Sequence, residues 1–467
     1  MIMGAAMQKY DVIVIGGGPG GYMAAIRAAS SGLNTALIEK DTLGGVCLNW
    51  GCIPTKALLR NAEVIRTLHQ GDVFGFETAG IQADYAKAHA RSRQVSEKLV
   101  KGIEYLMKKH KITVFKDTVR LSGPNEIVLL QSGQILRAQN ILIATGSNPI
   151  KLPFLDYMLP GVLDSKGGLQ LTEAPKSMII IGAGAIGMEF ATIFSAYGTA
   201  ISVIEAQDRV LPNEDADISA LIQECYEKRG MRVITDARIT SVTEAGGNMR
   251  VALTQHGETL NIEAEYILSS AGICPNTAEL GLETLGIAID PRGFIIVDDF
   301  MRTNVPGIYA IGDVTGKLPL AHVASAQAIV AIEHIITGKA TPISYAEIPK
   351  CTYTDPETAS VGLTLQAAEE AGYSAASAIF PLLANGKAIS HGDDAGFVKL
   401  VYDKTYGQLL GAHMAGAHVT EMIGGIAGYL GMEMTIDEMK RVIHPHPTVS
   451  EAIMEAAYLA RGEAIHI

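Results

Sequence analysis

The sequence predicts an α/β protein in which one βαβ unit with a parallel sheet occurs twice, ahead of a terminal α+β segment. Three observations carry this. Residues 11–21, DVIVIGGGPGG, are an apolar β-branched run ending in glycines, and the helical pattern YMAAIRAASSG follows. Residues 178–187, MIIIGAGAIG, repeat that plan ahead of MEFATIFSAYG. From about Tyr345 the pattern changes to short strands and turns, then to two helical stretches.

Each repeat holds G-x-G-x-x-G, at Gly16, Gly18 and Gly21 and again at Gly182, Gly184 and Gly187. Each is followed by a second apolar strand ending in an acid, TALIEK at Glu39 and ISVIEA at Glu205. The acid stands 23 residues after the first glycine in both copies. One match alone is weak in a chain with 49 glycines, but a double match at identical spacing marks two Rossmann-like dinucleotide-binding domains. The first glycine makes the tight turn, the second lets the backbone approach a pyrophosphate, and the third allows close packing of a helix whose N-terminus faces the phosphates. The acid accepts hydrogen bonds from a ribose 2'-hydroxyl and repels a 2'-phosphate. Two dinucleotides are therefore expected, the second without a 2'-phosphate.

At 467 residues the chain exceeds what one hydrophobic core supports, so several domains are expected. A net charge of -12 speaks against nucleic acid or an anionic membrane as a partner. No uncharged stretch is long enough for a membrane-spanning helix. The start, MIMGAAMQKYDVIVIG, enters a strand pattern without an apolar core and cleavage site, so no export signal is expected and the default location is cytoplasmic. ILIATGSNP (residues 141–149) and EYILSSAGICPNT (residues 265–277) are two similar strands ending in turns, YAIGDV ends a later strand at Gly312 and Asp313, and proline-rich KLPFLDYMLPG reads as a crossing between domains.

The chemistry is concentrated in two short segments. GGVCLNWGCIPTK, residues 44–56, carries two of only five cysteines, Cys47 and Cys52. They could be half of a zinc site, unrelated buried thiols, or a redox disulfide; Cys225, Cys274 and Cys351 offer no second close pair. In an ideal helix residues five apart have Cα atoms about 8–9 Å apart, so a disulfide needs a distorted turn, for which Gly44, Gly45 and Gly51 supply freedom. Pro54 suits a helix start, where the dipole favours a thiolate. The second segment is HPHPTVSE, residues 444–451. A histidine beside a carboxylate suits thiol chemistry, but Thr448 and Glu451 also fit a T-x-x-E capping box, so Glu451 could serve only to start a helix.

GGVCLNWGCIPTK resembles the redox-active motif of the flavin-dependent pyridine nucleotide-disulfide oxidoreductases, and the two fingerprints, ATGSNP, YAIGD and HPHPTVSE follow in that family's order. The resemblance covers essentially the whole chain. It implies a redox disulfide between Cys47 and Cys52, with Cys47 exchanging with substrate and Cys52 facing the flavin, and an acid/base pair of His446 and Glu451. It implies an ion pair of Lys56 and Glu189 beside FAD. Gly146, Asp313 and the helix opening at Ala321 would complete the FAD site begun by Gly16, Gly18, Gly21 and Glu39. NAD would be held by Gly182, Gly184, Gly187, Glu205 and Gly272, with no metal. The implied domains are FAD-binding (1–148), NAD-binding (149–271), central (272–345) and a homodimer interface or dimerisation domain (346–467). The implied substrate is a dihydrolipoamide group on a lipoyl domain, presented by the acyltransferase core of 2-oxo acid dehydrogenase complexes or by the glycine cleavage carrier. Another disulfide reductase, or a docking subunit without catalysis, are the alternatives. The chain departs from the family at Ile273, where arginine is usual.

Overall fold

The computed structural model describes residues 8–77, 79–80 and 82–467. Residues 1–7, on which the export-signal reading partly rests, lie outside them. The chain divides into two compact units, one made of residues up to Ala57, Ala86–Ile150 and Gly272–Ile343, the other of Leu58–Tyr85, Lys151–Ala271 and Ser344–Ile467.

The first unit is built on a sheet whose parallel strands run in the order Thr113–Lys116, Thr35–Glu39, Gln8–Ile15, Ile135–Ile143, with Ile308–Ala310 paired to the last of these. Two antiparallel strands, Glu126–Leu129 and Val119–Gly123, extend its other margin. Val12 to Val14 and Ile141 to Ile143 are wholly buried, as expected of strands covered on both faces. The helix Pro19–Ser30 begins with proline at its first turn and buries Gly20, Gly21, Ala24, Ala25 and Ala28. Its small residues admit a close neighbour: a Cβ on Gly20 would lie 3.0 Å from the Ala324 carbonyl oxygen of the helix Ala321–Thr337. The turns after the two similar strands meet in a short antiparallel ladder, Ser147–Pro149 with Ile273–Pro275.

The second unit contains a five-stranded parallel sheet, in the order Arg232–Ile234, Ala200–Ile204, Ser177–Ile181, Tyr266–Ser269, Val162–Asp164. A three-stranded antiparallel sheet, Ala237–Ala245, Asn248–Gln255 and Glu258–Ala264, branches from it. Residues after 344 form an antiparallel sheet of five strands covered by the helices Val419–Gly431 and Glu451–Leu459, so the α+β reading holds. Among the described residues, no helix is long and apolar enough to cross a membrane.

Candidate active site

The two fingerprints fold alike down to single hydrogen bonds. Gly16 and Gly182 adopt φ of 104° and 101°, a conformation that favours glycine. A Cβ on Gly21 would stand 1.9 Å from the Gly16 carbonyl oxygen, and one on Gly187 would stand 2.1 Å from that of Gly182. No side chain larger than hydrogen fits at either third position. Glu39 accepts from the Gly17 amide at 2.7 Å and from the Asp41 amide at 2.8 Å. Glu205 does the same with Ala183 at 2.7 Å and Gln207 at 2.9 Å. Each carboxylate thus ties its strand end to its glycine turn, and each oxygen keeps a lone pair for a ribose hydroxyl. The middle glycines stay bare: Gly184 has nothing within 4 Å of a built Cβ, and Gly18 only the Gly45 Cα at 4.0 Å. Both helices begin there without a side-chain cap, leaving amides for a phosphate.

The cysteine segment sits directly on the first fingerprint. A Cβ on Gly45 would come within 2.7 Å of the Gly18 Cα, so only glycine lets the two backbones meet. Cys47 lies in the short helix Gly45–Trp50, begun by left-handed Gly44 with φ 94°. Gly51 then turns the chain, and a new helix, Cys52–His69, starts at the second cysteine. A Cβ on Gly51 would press on Val46 O at 3.2 Å and Cys47 Cα at 3.5 Å, so the turn folds back against the first cysteine. Asn49 Nδ2 donates to the carbonyls of Leu43 and Gly45, and Arg93 donates to the Asn49 carbonyl at 2.7 Å while stacking on Trp50. These bonds lock the distorted turn that the spacing requires.

Cys47 and Cys52 stand in hydrogen-bonding contact with each other. The Cys52 hydrogen bond, burial and charge developing on Cys52 all push the Cys47 thiol upward, and the Lys56 ammonium one turn along the second helix opposes them.

Asp313 lies in the 3-10 turn Gly312–Thr315, just beyond the strand Ile308–Ala310 rather than within it. Burial raises its carboxyl pKa, while the Ser147 hydroxyl, donating at 2.7 Å, works the other way. The Gly312 amide donates to Gln327 at 2.6 Å, tying this turn to the helix Ala321–Thr337, whose N-terminus also has no side-chain cap. Gly146, with φ 71°, accepts from the Asn276 amide, and Gly272, with φ 122°, accepts from the Ile150 amide. A bare glycine surface, an uncapped helix start, a ribose-facing acid and a second buried acid form a donor set that fits FAD; the second fingerprint fits NAD on the same grounds.

In the second unit, His446 Nδ1 lies 3.0 Å from Glu451 Oε1. The other carboxylate oxygen accepts from the Thr448 amide at 2.9 Å. Burial opposes ionisation of Glu451, but the Thr448 amide and His446 together hold it below the usual carboxylate range. The capping box is only half made: the Thr448 hydroxyl donates to the Pro445 carbonyl instead of capping the helix. Glu451 begins its helix and orients the histidine at once. With Nδ1 engaged and the side chain 81% exposed, Nε2 is the nitrogen open to a thiol.

Glu189 is buried in the helix Ala185–Ala196 and accepts from the Tyr353 amide at 3.0 Å. It belongs to the second unit and Lys56 to the first. Sequence reasoning missed Ser147, Asn49 and Arg93. The first two sit inside quoted motifs, Ser147 directly after a glycine and Asn49 two positions before one, a usable signal; Arg93 lies on a distant helix with no local sign of its role.

Two sequence families match the chain. Residues 10–328 match the pyridine nucleotide-disulphide oxidoreductases, and residues 348–457 match the dimerisation domain of the same family. A Bacillus subtilis protein called dihydrolipoyl dehydrogenase is 43% identical over 98% of this chain and 99% of its own length. A Mycobacterium tuberculosis protein of that name is 42% identical over 98% of this chain and 100% of its own. Among solved structures, LpdA from Mycobacterium tuberculosis superposes with a TM-score of 0.88 at 29% identity, covering 97% of this chain and 99% of that one. The HOCl-induced flavoprotein disulfide reductase RclA from Escherichia coli gives 0.86 at 27% identity, covering 96% of this chain and 100% of its own.

Proposed function

Because the chain belongs to the pyridine nucleotide-disulphide oxidoreductases, we propose that it oxidises the dihydrolipoyl dithiol to the cyclic disulfide and reduces NAD to NADH, with FAD and NAD as cofactors. The observation that carries this is the Cys47–Cys52 pair, seated on the FAD fingerprint through the Gly45–Gly18 approach.

The chain's own residues then have defined tasks. His446 Nε2 takes a proton from one substrate thiol, and the Glu451 carboxylate at Nδ1 stabilises the imidazolium that forms. The substrate thiolate attacks Cys47 Sγ of the oxidised pair, forming a mixed disulfide and expelling Cys52 as a thiolate. The second substrate thiol attacks the substrate sulfur of that bond, closing the lipoyl ring and releasing Cys47. Two electrons have moved from substrate to the pair, which is now a dithiol. Gly16, Gly18, Gly21, Glu39, Gly146, Asp313 and the helix start at Ala321 would hold FAD, which when bound would supply the acceptor for that electron pair, and Gly182, Gly184, Gly187, Glu205 and Gly272 would hold NAD, the final hydride acceptor. Lys56, on the helix that starts at Cys52, is assigned to the flavin side of the pair, and Glu189 keeps the role that the family resemblance implies.

In the homodimer, to which residues 348–457 contribute the dimerisation domain, the histidine serving each cysteine pair comes from the partner subunit. We assign the domain boundaries given above, a cytoplasmic location, and a lipoyl domain of a 2-oxo acid dehydrogenase or glycine cleavage complex as the bearer of the substrate. Purified enzyme given dihydrolipoamide and NAD is expected to form one NADH for each two thiols lost. If NADH bleaches the flavin but dihydrolipoamide yields no NADH, the substrate is a different disulfide.

Glu205 sets the nucleotide preference. Combining Glu205→Ala with Ala206→Arg should move the NADH to NADPH ratio of kcat/KM by roughly 100-fold toward NADPH, since a like-charge clash is exchanged for an attraction. An unchanged ratio removes Glu205 from the ribose site. Absolute kcat/KM should fall for both nucleotides, because Glu205 also ties down the Ala183 amide.

A further inference from the structure

In the second unit a cavity of about 140 Å³ lies against the sheet of the terminal segment, with Glu214, Lys350, Ser360 and His413 among its lining residues. The strands Lys350–Thr352, Thr358–Gly362, Leu409–Ala415 and Phe397–Asp403 lie side by side. Their register sets Lys350 opposite Ser360, Ser360 opposite His413 and His413 opposite Lys399. Opposed residues of antiparallel strands share a face, so these four form one polar row across the sheet. At one end of the row the charge is fully engaged. Buried Lys399 donates to both oxygens of Asp215 at 2.9 Å and to Asp217 at 2.7 Å, three acceptors for its three protons. Next to it, His413 Nε2 donates to the Leu363 carbonyl at 3.0 Å, and burial pushes its pKa down, so the ring adds no charge.

The other end of the row is different. Lys350 and Glu214 are the charged groups among the cavity's described lining residues, and no hydrogen bond or ion pair among the described residues joins them. The Glu214 carboxylate takes one hydrogen bond among those residues, from the Ser360 hydroxyl at 2.6 Å. Burial and the neighbouring Asp215 raise its pKa, while Ser360 and the Lys350 ammonium work the other way. An ammonium and a carboxyl thus share one small cavity without touching, and each has lost water without gaining the other as a partner. That arrangement costs free energy, and a single ligand bearing both charges would satisfy the two together. A cavity of about 150 Å³ holds benzene, so this one has room for about six non-hydrogen atoms. Ile348 and Val361 give it an apolar wall wide enough for a methyl group, and exposed Asn213 and Ala346 put its mouth at the surface.

We propose that this cavity is a binding site for a small α-amino acid, whose carboxylate pairs with Lys350 and whose ammonium pairs with Glu214. The test is calorimetric titration of the FAD-loaded enzyme with L-alanine, and with propionate and ethylamine, which each keep one of its two charged groups. Alanine should bind at least about 10-fold more tightly than either, because each analogue lacks one charge-assisted hydrogen bond. Lys350→Met and Glu214→Gln should each weaken alanine binding about 10-fold and leave NADH formation from dihydrolipoamide unchanged, since neither residue belongs to the cysteine, flavin or nucleotide sites. Glutamine keeps the size of Glu214 and an acceptor for the Ser360 hydroxyl, so a loss in that variant reads charge and not packing. No alanine binding at tens of millimolar overturns the proposal. Propionate or ethylamine binding as tightly as alanine overturns it too, as does alanine binding that either substitution leaves unchanged.

Discussion

Replacing Cys47 by serine should abolish dihydrolipoamide oxidation, lowering turnover at least about 10⁴-fold, while FAD stays bound. A serine hydroxyl can neither form the mixed disulfide with substrate nor close a bond to Cys52, so no route remains for the electron pair. The fold gives no reason for the flavin to leave. The FAD fingerprint is closed by Gly16, Gly21 and Glu39 through their own backbone contacts, and the cysteine helix meets it through Gly45, whose contact is between main-chain atoms. The measurements are the bound flavin absorbance and NADH formation from dihydrolipoamide. Retained turnover would discard the disulfide mechanism; loss of both flavin and turnover would leave the cysteine's role structural. Cys52→Ser separates the two sulfurs, because the remaining Cys47 thiol should still form a mixed disulfide with a linear disulfide reagent, whose leaving thiol is not tethered and does not re-close the bond.

His446→Gln should lower kcat for dihydrolipoamide by a factor of about 10² to 10⁴, the usual worth of a positioned general base. Glutamine cannot accept the thiol proton, so the reaction must wait for substrate that ionises in solution. The deficit should shrink as pH rises toward the range where free thiols lose their proton, about 8–9, and that pH profile separates lost proton transfer from a damaged fold. Reduction of the bound flavin by NADH involves no substrate thiol and should be unaffected. Wild-type turnover in the variant at neutral pH, or a deficit that ignores pH, would take His446 out of the reaction. The 3.0 Å bond to Glu451, whose other oxygen is fixed by the Thr448 amide, is the structural ground for expecting an oriented ring.

Much of this site was legible because its parts are local. The turn glycines, the strand-end acids and their duplication lie within segments of about two dozen residues, and the conformations that require glycine at Gly16 and Gly182 are properties of the turn itself. His446 and Glu451 are five positions apart, so their pairing needs only one loop. The capping box shows where local reading stops: the same four residues allow a cap or a histidine clamp, and the structure gives the Glu451 carboxylate to His446 and the Thr448 amide while the Thr448 hydroxyl goes to Pro445.

By itself the sequence determined the repeated nucleotide unit, the cysteine pair's need for a bent turn, and the histidine with its acid, because backbone sterics and short-range hydrogen bonds act on neighbours along the chain. The tertiary structure alone decided what those pieces rest on. Gly45 against Gly18, Ser147 bonded to Asp313 across 166 residues, the Tyr353 amide on Glu189 across 164, and Arg93 on Asn49 join strands and helices that pattern alone leaves unordered. Burial of apolar surface brings such elements together without regard to their order in the chain, and the buried polar groups must then find partners wherever packing has put them.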